Sequence, residues 1–251
     1  MCIIVKFDKL LYKVLVNQTM SFIIAEIGVN WDGDFELAQK LMGLAKSSDC
    51  NAVKFQSFNE EIVIEHPERS RLMKSSISKQ NIEEINKLAN LIGIEWFCTP
   101  MYLEAVDLLE PFVKRFKIRE LDGRPLLENK TTHLFEKLIE TKKEIIISSK
   151  QSPRKSKYFD LPNLKWLYCV PKYPCDLSDL DFSDLNDFDG YSNHSNKTIA
   201  PITAAILGAK IIEVHITSDK TKDFADNSVS FDYLDLKEMV KTIRLSEKIK
   251  K

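Results

Sequence analysis

No apolar run in this chain reaches the roughly 18 to 20 residues needed to cross a bilayer. Net charge is missing as well. The 36 lysines and arginines against 37 acidic residues leave a formal charge of −1, so electrostatics give no reason to expect nucleic acid or an anionic membrane surface as a partner. Paired cysteines are also absent. The five (Cys2, Cys50, Cys98, Cys169 and Cys175) are odd in number, and Cys169 and Cys175 stand too far apart for a C-x-x-C motif. Reduced thiols in a cytoplasmic protein are the expected state. The opening MCIIVKFDKLLYKVLVNQTM has scattered charges and no small-residue cleavage site, unlike a signal peptide. Residues 1–21 are expected to form an extra strand or hairpin. With 44% hydrophobic and 29% charged residues, what remains can fold as a soluble globular domain, and 251 residues suffice for one large core.

Histidine is scarce, with only His66, His133, His194 and His215 in the chain. Two of these fall in one βαβ pattern, DGYSNHSNKTIAPITAAILGAKIIEVHIT. A strand over Phe188–Ser192 ends just before His194, an apolar helix follows, and a strand over Lys210–Ile216 carries His215 towards the same edge. A single strand-end histidine is commonly structural, whereas a matched pair on neighbouring strands suggests a shared site.

The remainder alternates strand and helix from Phe22 onward, without a linker. Strands are expected at Phe22–Gly28, Ala52–Phe58, Ile94–Thr99, Arg115–Ile118, Glu144–Ser149 and Leu164–Val170. Asp34 and Ser78 read as helix N-caps, Gly93 as a stop, and Tyr102–Leu109, Leu126–Glu140 and Tyr233–Lys250 as helices. Between Ser149 and Leu164, Pro153 and Pro162 leave space for one or two helical turns at most. Eight strands separated by helices, in one domain over residues 22–251, predict a (β/α)₈ TIM barrel. An open doubly wound sheet would want a Gly-rich turn after the first strand, where only Gly28 and Gly33 occur.

Barrel active sites lie at the C-terminal strand ends. There the chain places Glu26 with Asn30, Lys54 with Gln56, Thr99, Lys117, Ser148 with Ser149, Tyr173, Ser192 with His194, and His215. Lys54 and Lys117 sit inside apolar runs, and a buried ammonium wants an anion. Two of them on one cavity suggest a carboxylate- or phosphate-bearing substrate, with serine and threonine hydroxyls as further donors. Two imidazoles near an acid could hold a divalent ion, and Glu26 or Asp226 could carry a proton. A Schiff-base lysine is the competing chemistry.

At these residues the sequence becomes recognisable. AEIGVNWDGD (residues 25–34), VKFQS (53–57), CTPMYLEAVDLL (98–109), CVPKYP (169–174), GYSNHS (190–195) and GAKIIEVHIT (208–217) resemble the sialic acid synthase family. The resemblance implies a metal-dependent (Mn²⁺ or Mg²⁺) condensation of phosphoenolpyruvate with N-acetylmannosamine or a related sugar. It implies metal binding by His194 and His215, and donor binding by Lys54, Lys117, Ser148, Ser192 and Thr99, with Ser149 beside them. Glu26 takes the acid/base role, and Gln56, Tyr173 and Asp226 the sugar side. WDGD stands where the family usually has HNGD, so Trp31 replaces a histidine. KIRELD stands for KIASGE, leaving Glu120 or Asp122 as the sugar-contacting acid. Members usually continue into an antifreeze-like domain that reaches a partner subunit's sugar site. This sequence ends at Lys251, and the homodimer usual in the family owes much to that domain. Two further readings are a related synthase with another acceptor, even a phosphorylated one near Arg119 and Arg124, and a non-catalytic barrel that binds or partners.

Overall fold

The computed structural model describes residues 20–249. The extension expected over residues 1–21 lies, apart from Met20 and Ser21, outside the described residues. Eight parallel strands close into a barrel in sequence order, β1 pairing with both β2 and β8: β1 Phe22–Gly28, β2 Ala52–Ser57, β3 Glu95–Pro100, β4 Arg115–Ile118, β5 Glu144–Ser149, β6 Leu164–Tyr168, β7 Gly190–Asn193 and β8 Ile211–His215. The strands are buried almost throughout, as expected of short β-branched runs covered by helices outside and packed side chains inside. The expected barrel is therefore the observed fold. No helix among the described residues is long and apolar enough to cross a membrane.

The outer layer comprises α1 Phe35–Ser47, α2 Arg69–Ser75, α3 Ile82–Ile92, α4 Leu103–Leu109, α5 Glu120–Leu127, α6 His133–Glu140, α7 Ile199–Ile206 and α8 Tyr233–Ser246. Asp34 caps α1 by accepting from the Glu36 and Leu37 amides, and Gly93 stops α3 in the left-handed region at φ 72°. The helix expected over Leu126–Glu140 is two helices. Asn129 turns the chain at φ 62°, and the extended Thr132 restarts it by accepting from the Phe135 amide. Asn81, not Ser78, occupies the cap position of α3. The long β2–α3 connection holds α2, too short to show a period in the sequence.

Strand register assembles the mouth. Glu26 is the register partner of both Lys54 and His215, and Gln56 of Thr99. On the far side, β7 presses so close to β8 that a Cβ on Gly190 would lie 2.0 Å from the Ile211 carbonyl oxygen. Only glycine fits there, and this contact sets the height at which Ser192 faces Glu213.

Candidate active site

A cavity of about 540 Å³ opens at the C-terminal ends of the strands. Its floor is ionic and buried. Glu213 lies between two lysines, 3.0 Å from Lys117 Nζ and 3.8 Å from Lys54 Nζ, and accepts from the Ser192 hydroxyl at 2.9 Å. Lys54 also meets Glu26 at 2.9 Å and donates to Thr99 Oγ1 at 3.1 Å, while Lys117 donates to Ser148 Oγ at 2.8 Å. All four charged groups are at most 4% exposed. Their surroundings divide them. Burial works to raise the Glu213 carboxyl, but Lys117 and Lys54 outweigh it and hold it at about 2. Burial raises Glu26, its single short lysine contact notwithstanding. For Lys54, burial is outweighed by Glu213 and Glu26, which raise it. Lys117 has one carboxylate and a repelling lysine neighbour, so burial keeps it below the usual lysine value.

The histidine pair stands beside this floor, with ring centroids 5.7 Å apart. The Val170 carbonyl lies 2.7 Å from His194 Nδ1. A carbonyl only accepts, so Nδ1 carries the hydrogen and Nε2 the lone pair. Burial, aided by His215, pushes His194 down to about 3, leaving the imidazole neutral. Burial also works to lower His215, but Asp226, whose Oδ2 is 3.4 Å from Nδ1, and Glu26 outweigh it and raise the ring. His194 thus has Nδ1 held by an oxygen, the arrangement that orients a metal-binding histidine and leaves Nε2 free to ligate, whereas His215 has a carboxylate near Nδ1 without a hydrogen bond to it. At 3.4 Å the Asp226 contact makes no good hydrogen bond, and buried His215 Nδ1 lacks one. No group of three or more His, Cys, Asp or Glu side chains among the described residues could hold an ion. A divalent ion here would have only the two imidazoles as protein donors, its other positions left to solvent or substrate oxygens. Tyr173 packs on both rings, its hydroxyl 2.8 Å from His194 Nε2.

Gln56 donates to Glu26 Oε1 at 2.9 Å. Gly28, at φ 54°, leaves the space between these side chains open. A Cβ there would lie 3.1–3.2 Å from Glu26 Oε1, Asp226 Oδ2 and Gln56 Nε2. On the rim, Glu120 binds Arg124 at 2.7 Å and Arg119 binds Asp122 at 2.5 Å. The opposite wall is apolar, built from Val29, Phe58, Ile62, Leu72 and Met101. Arg71 of α2 clips this wall in place by donating to Asp32 at 2.9 and 3.0 Å and to the Asp223 carbonyl.

Of the residues singled out in the sequence, Glu26, Lys54, Gln56, Thr99, Lys117, Glu120, Ser148, Tyr173, Ser192, His194, His215 and Asp226 all line this cavity. Ser149 and Asp122 do not. Ser148 and Ser149 face opposite sides of β5, and Ser149 donates to the Gln151 carbonyl at 2.7 Å. Asp122 is held to Arg119 outside the lining. Of the two acids left open by KIRELD, Glu120 is the one on the cavity. Sequence reasoning missed Glu213, although its alternation with His215 in IIEVH puts both on one face of β8.

Residues 41–251 match the NeuB family. The chain belongs to that family. Its relatives include an uncharacterized protein of Methanocaldococcus jannaschii, 33% identical over 249 residues (91% of this chain, 72% of that one). They also include N,N'-diacetyllegionaminic acid synthase of Legionella pneumophila, 30% identical over 260 residues (91% and 72%). Among solved structures, N-acetylneuraminic acid synthetase of Leptospira borgpetersenii superposes with a TM-score of 0.77 at 26% identity, over 91% of this chain and 84% of that one. Trp31, in the WDGD segment, lies off the cavity. It is fully buried, packs edge-on against Phe55 with centroids 5.9 Å apart, and donates from Nε1 to the Ser75 carbonyl at 2.9 Å. In this NeuB member that position braces α2 from beneath.

Proposed function

We propose that this barrel condenses phosphoenolpyruvate with an N-acylated hexose, N-acetylmannosamine-like, to give a nonulosonic acid and phosphate. The observation that carries the reading is the pair of lysines buried at the base of the cavity, each beside a hydroxyl, in a member of the NeuB family. Lys54 with Thr99, and Lys117 with Ser148 and Ser192, would hold the donor's carboxylate and phosphate. With the donor so anchored, C3 of the enolpyruvate forms the new bond to the acceptor's carbonyl carbon. Water then adds at C2, and the C2–O bond breaks to release phosphate. Glu26, raised by burial and steadied by Gln56, would deliver the proton that the carbonyl oxygen takes up. A divalent ion, Mn²⁺ or Mg²⁺, on His194 and His215 would supply Lewis-acid polarisation of that carbonyl.

The acceptor end supports an N-acyl sugar over a phosphorylated one. Its apolar wall suits a methyl-bearing substituent, while Arg119 and Arg124 are already neutralised by Asp122 and Glu120. We assign the protein to the cytoplasm, in keeping with its buried free thiols at Cys50, Cys98, Cys169 and Cys175. The test is phosphate release on incubation with Mn²⁺ or Mg²⁺, phosphoenolpyruvate and a panel of N-acylated and phosphorylated hexoses. Release with N-acylated hexoses, lost in Lys117→Met, is the expected result. Silence across the panel with phosphoenolpyruvate still bound would establish the non-catalytic reading instead.

A further inference from the structure

The helix α7 differs from the rest of the outer layer. Every other helix there carries charged residues, whereas the chain from Thr198 to Ala209 has none. Its small residues Ala200, Pro201 and Ala204 are buried. Its larger ones lie further out: Ile199 is 53% and Leu207 50% exposed, with Ile202 half-buried between them. An outer helix normally turns polar groups to solvent, so this apolar face is suited to being covered. The foot of α7 is also where the chain enters the barrel. Ser21 Oγ donates to the Ala209 carbonyl at 3.3 Å, and the Phe22 amide to the Lys210 carbonyl at 2.7 Å. Residues 1–19 therefore join the barrel at the Leu207 end of α7. Their apolar positions Ile3, Phe7, Leu10 and Val14 recur at the period of a helix, with Lys6, Lys9 and Lys13 to one side. A strand or hairpin here would find no edge to extend, because the barrel is closed. At helical rise residues 3–16 span about 21 Å, more than the roughly 12 Å of α7. We propose that residues 1–19 pack as an amphipathic helix along the outer face of α7, burying their apolar side against Ile199, Ile202 and Leu207.

The experiment places a photo-crosslinker in the full chain by Phe7→p-benzoylphenylalanine, irradiates it in dilute solution and maps the products by mass spectrometry. Links within one chain to residues 196–210 are the expected result. Adding Ile199→Lys and Leu207→Lys together should cut their yield by at least about fivefold, since charge then replaces apolar surface on the covered face. Leu91→Lys, at a more exposed position on α3, should leave the yield unchanged. Thermal unfolding checks that each variant is folded. Links from residue 7 to other parts of the chain, links between two copies, no links at all, or a yield indifferent to the two lysines would each overturn the docking.

Discussion

Replacing Glu213 with glutamine isolates the charge at the centre of the cavity floor while keeping its shape. At an effective dielectric of about 20, a unit pair at the 3.0 Å separation of Lys117 and Glu213 attracts by roughly 5 kcal/mol. Part of that is returned when the carboxylate no longer has to be desolvated. The amide oxygen can still accept from Lys117, so the net loss should fall at the lower end of that for broken buried pairs, about 3 kcal/mol. For a chain of this size that lowers the melting temperature by roughly 6–12 °C. The pH dependence gives a second handle. Lys117 is already below the usual lysine value and would fall further without its carboxylate. Between that lowered folded value and the ordinary 10.5, the unfolded chain binds the extra proton, so stability rises with pH across the window. The variant's deficit should therefore be greatest at neutral pH and shrink towards alkaline pH. Chemical denaturation from pH 6 to 10 measures both effects. A variant within about 0.5 kcal/mol of the wild type, or a deficit that grows with pH, would refute the reasoning.

Four further outcomes are expected. Lys117→Met leaves the buried Glu213 carboxylate with only Lys54, 3.8 Å away, so folding stability should fall by about 3 kcal/mol while phosphoenolpyruvate affinity, read by calorimetry on the folded protein, collapses. Gly28→Ala places a methyl group among Glu26, Asp226 and Gln56 and forces a left-handed alanine, costing about 1–2 kcal/mol with a disproportionate fall in kcat. Trp31→Phe leaves the Ser75 carbonyl without its donor and should cost about 1–3 kcal/mol in denaturant melts with KM unchanged, since the ring faces away from the cavity. Arg71→Ala breaks a half-buried clip and should alter global stability by about 1 kcal/mol, yet speed limited proteolysis within residues 59–77.

The barrel was legible because its strands are short, largely apolar runs that alternate with helical patterns, and the charges at their ends stand out against apolar neighbours. What escaped was local. The α5–α6 break lies in the polar run Glu128-Asn129-Lys130-Thr131-Thr132-His133, where Asn129 turns left-handed and Thr132 caps the next helix, and a single helix drawn across that run passed over both signals. Pairing Ser149 with Ser148 ignored the two-residue alternation that sends one hydroxyl inward and the other to Gln151. The same alternation, applied to IIEVH, would have found Glu213 beside His215. The choice between Glu120 and Asp122 could not be read from spacing, because it turns on which arginine each acid meets across one turn of α5.

The floor is a poor way to stabilise a barrel. Two lysines and two carboxylates occupy space that apolar side chains would fill with equal or greater stability, since buried ion pairs rarely outperform hydrophobic isosteres. The arrangement is also unequal. Lys54 faces two carboxylates and is raised; Lys117 faces one and is lowered. Glu26 is raised and Glu213 held at about 2, though both sit within reach of Lys54. A purely structural quartet would gain most from symmetric pairing. This one keeps one carboxyl able to hold a proton, one fixed as an anion, and one lysine short of negative charge. An incoming anion would supply what Lys117 lacks, and under the proposed function the stability given up by burying these groups would serve selectivity for a ligand that carries negative charge to the bottom of the barrel.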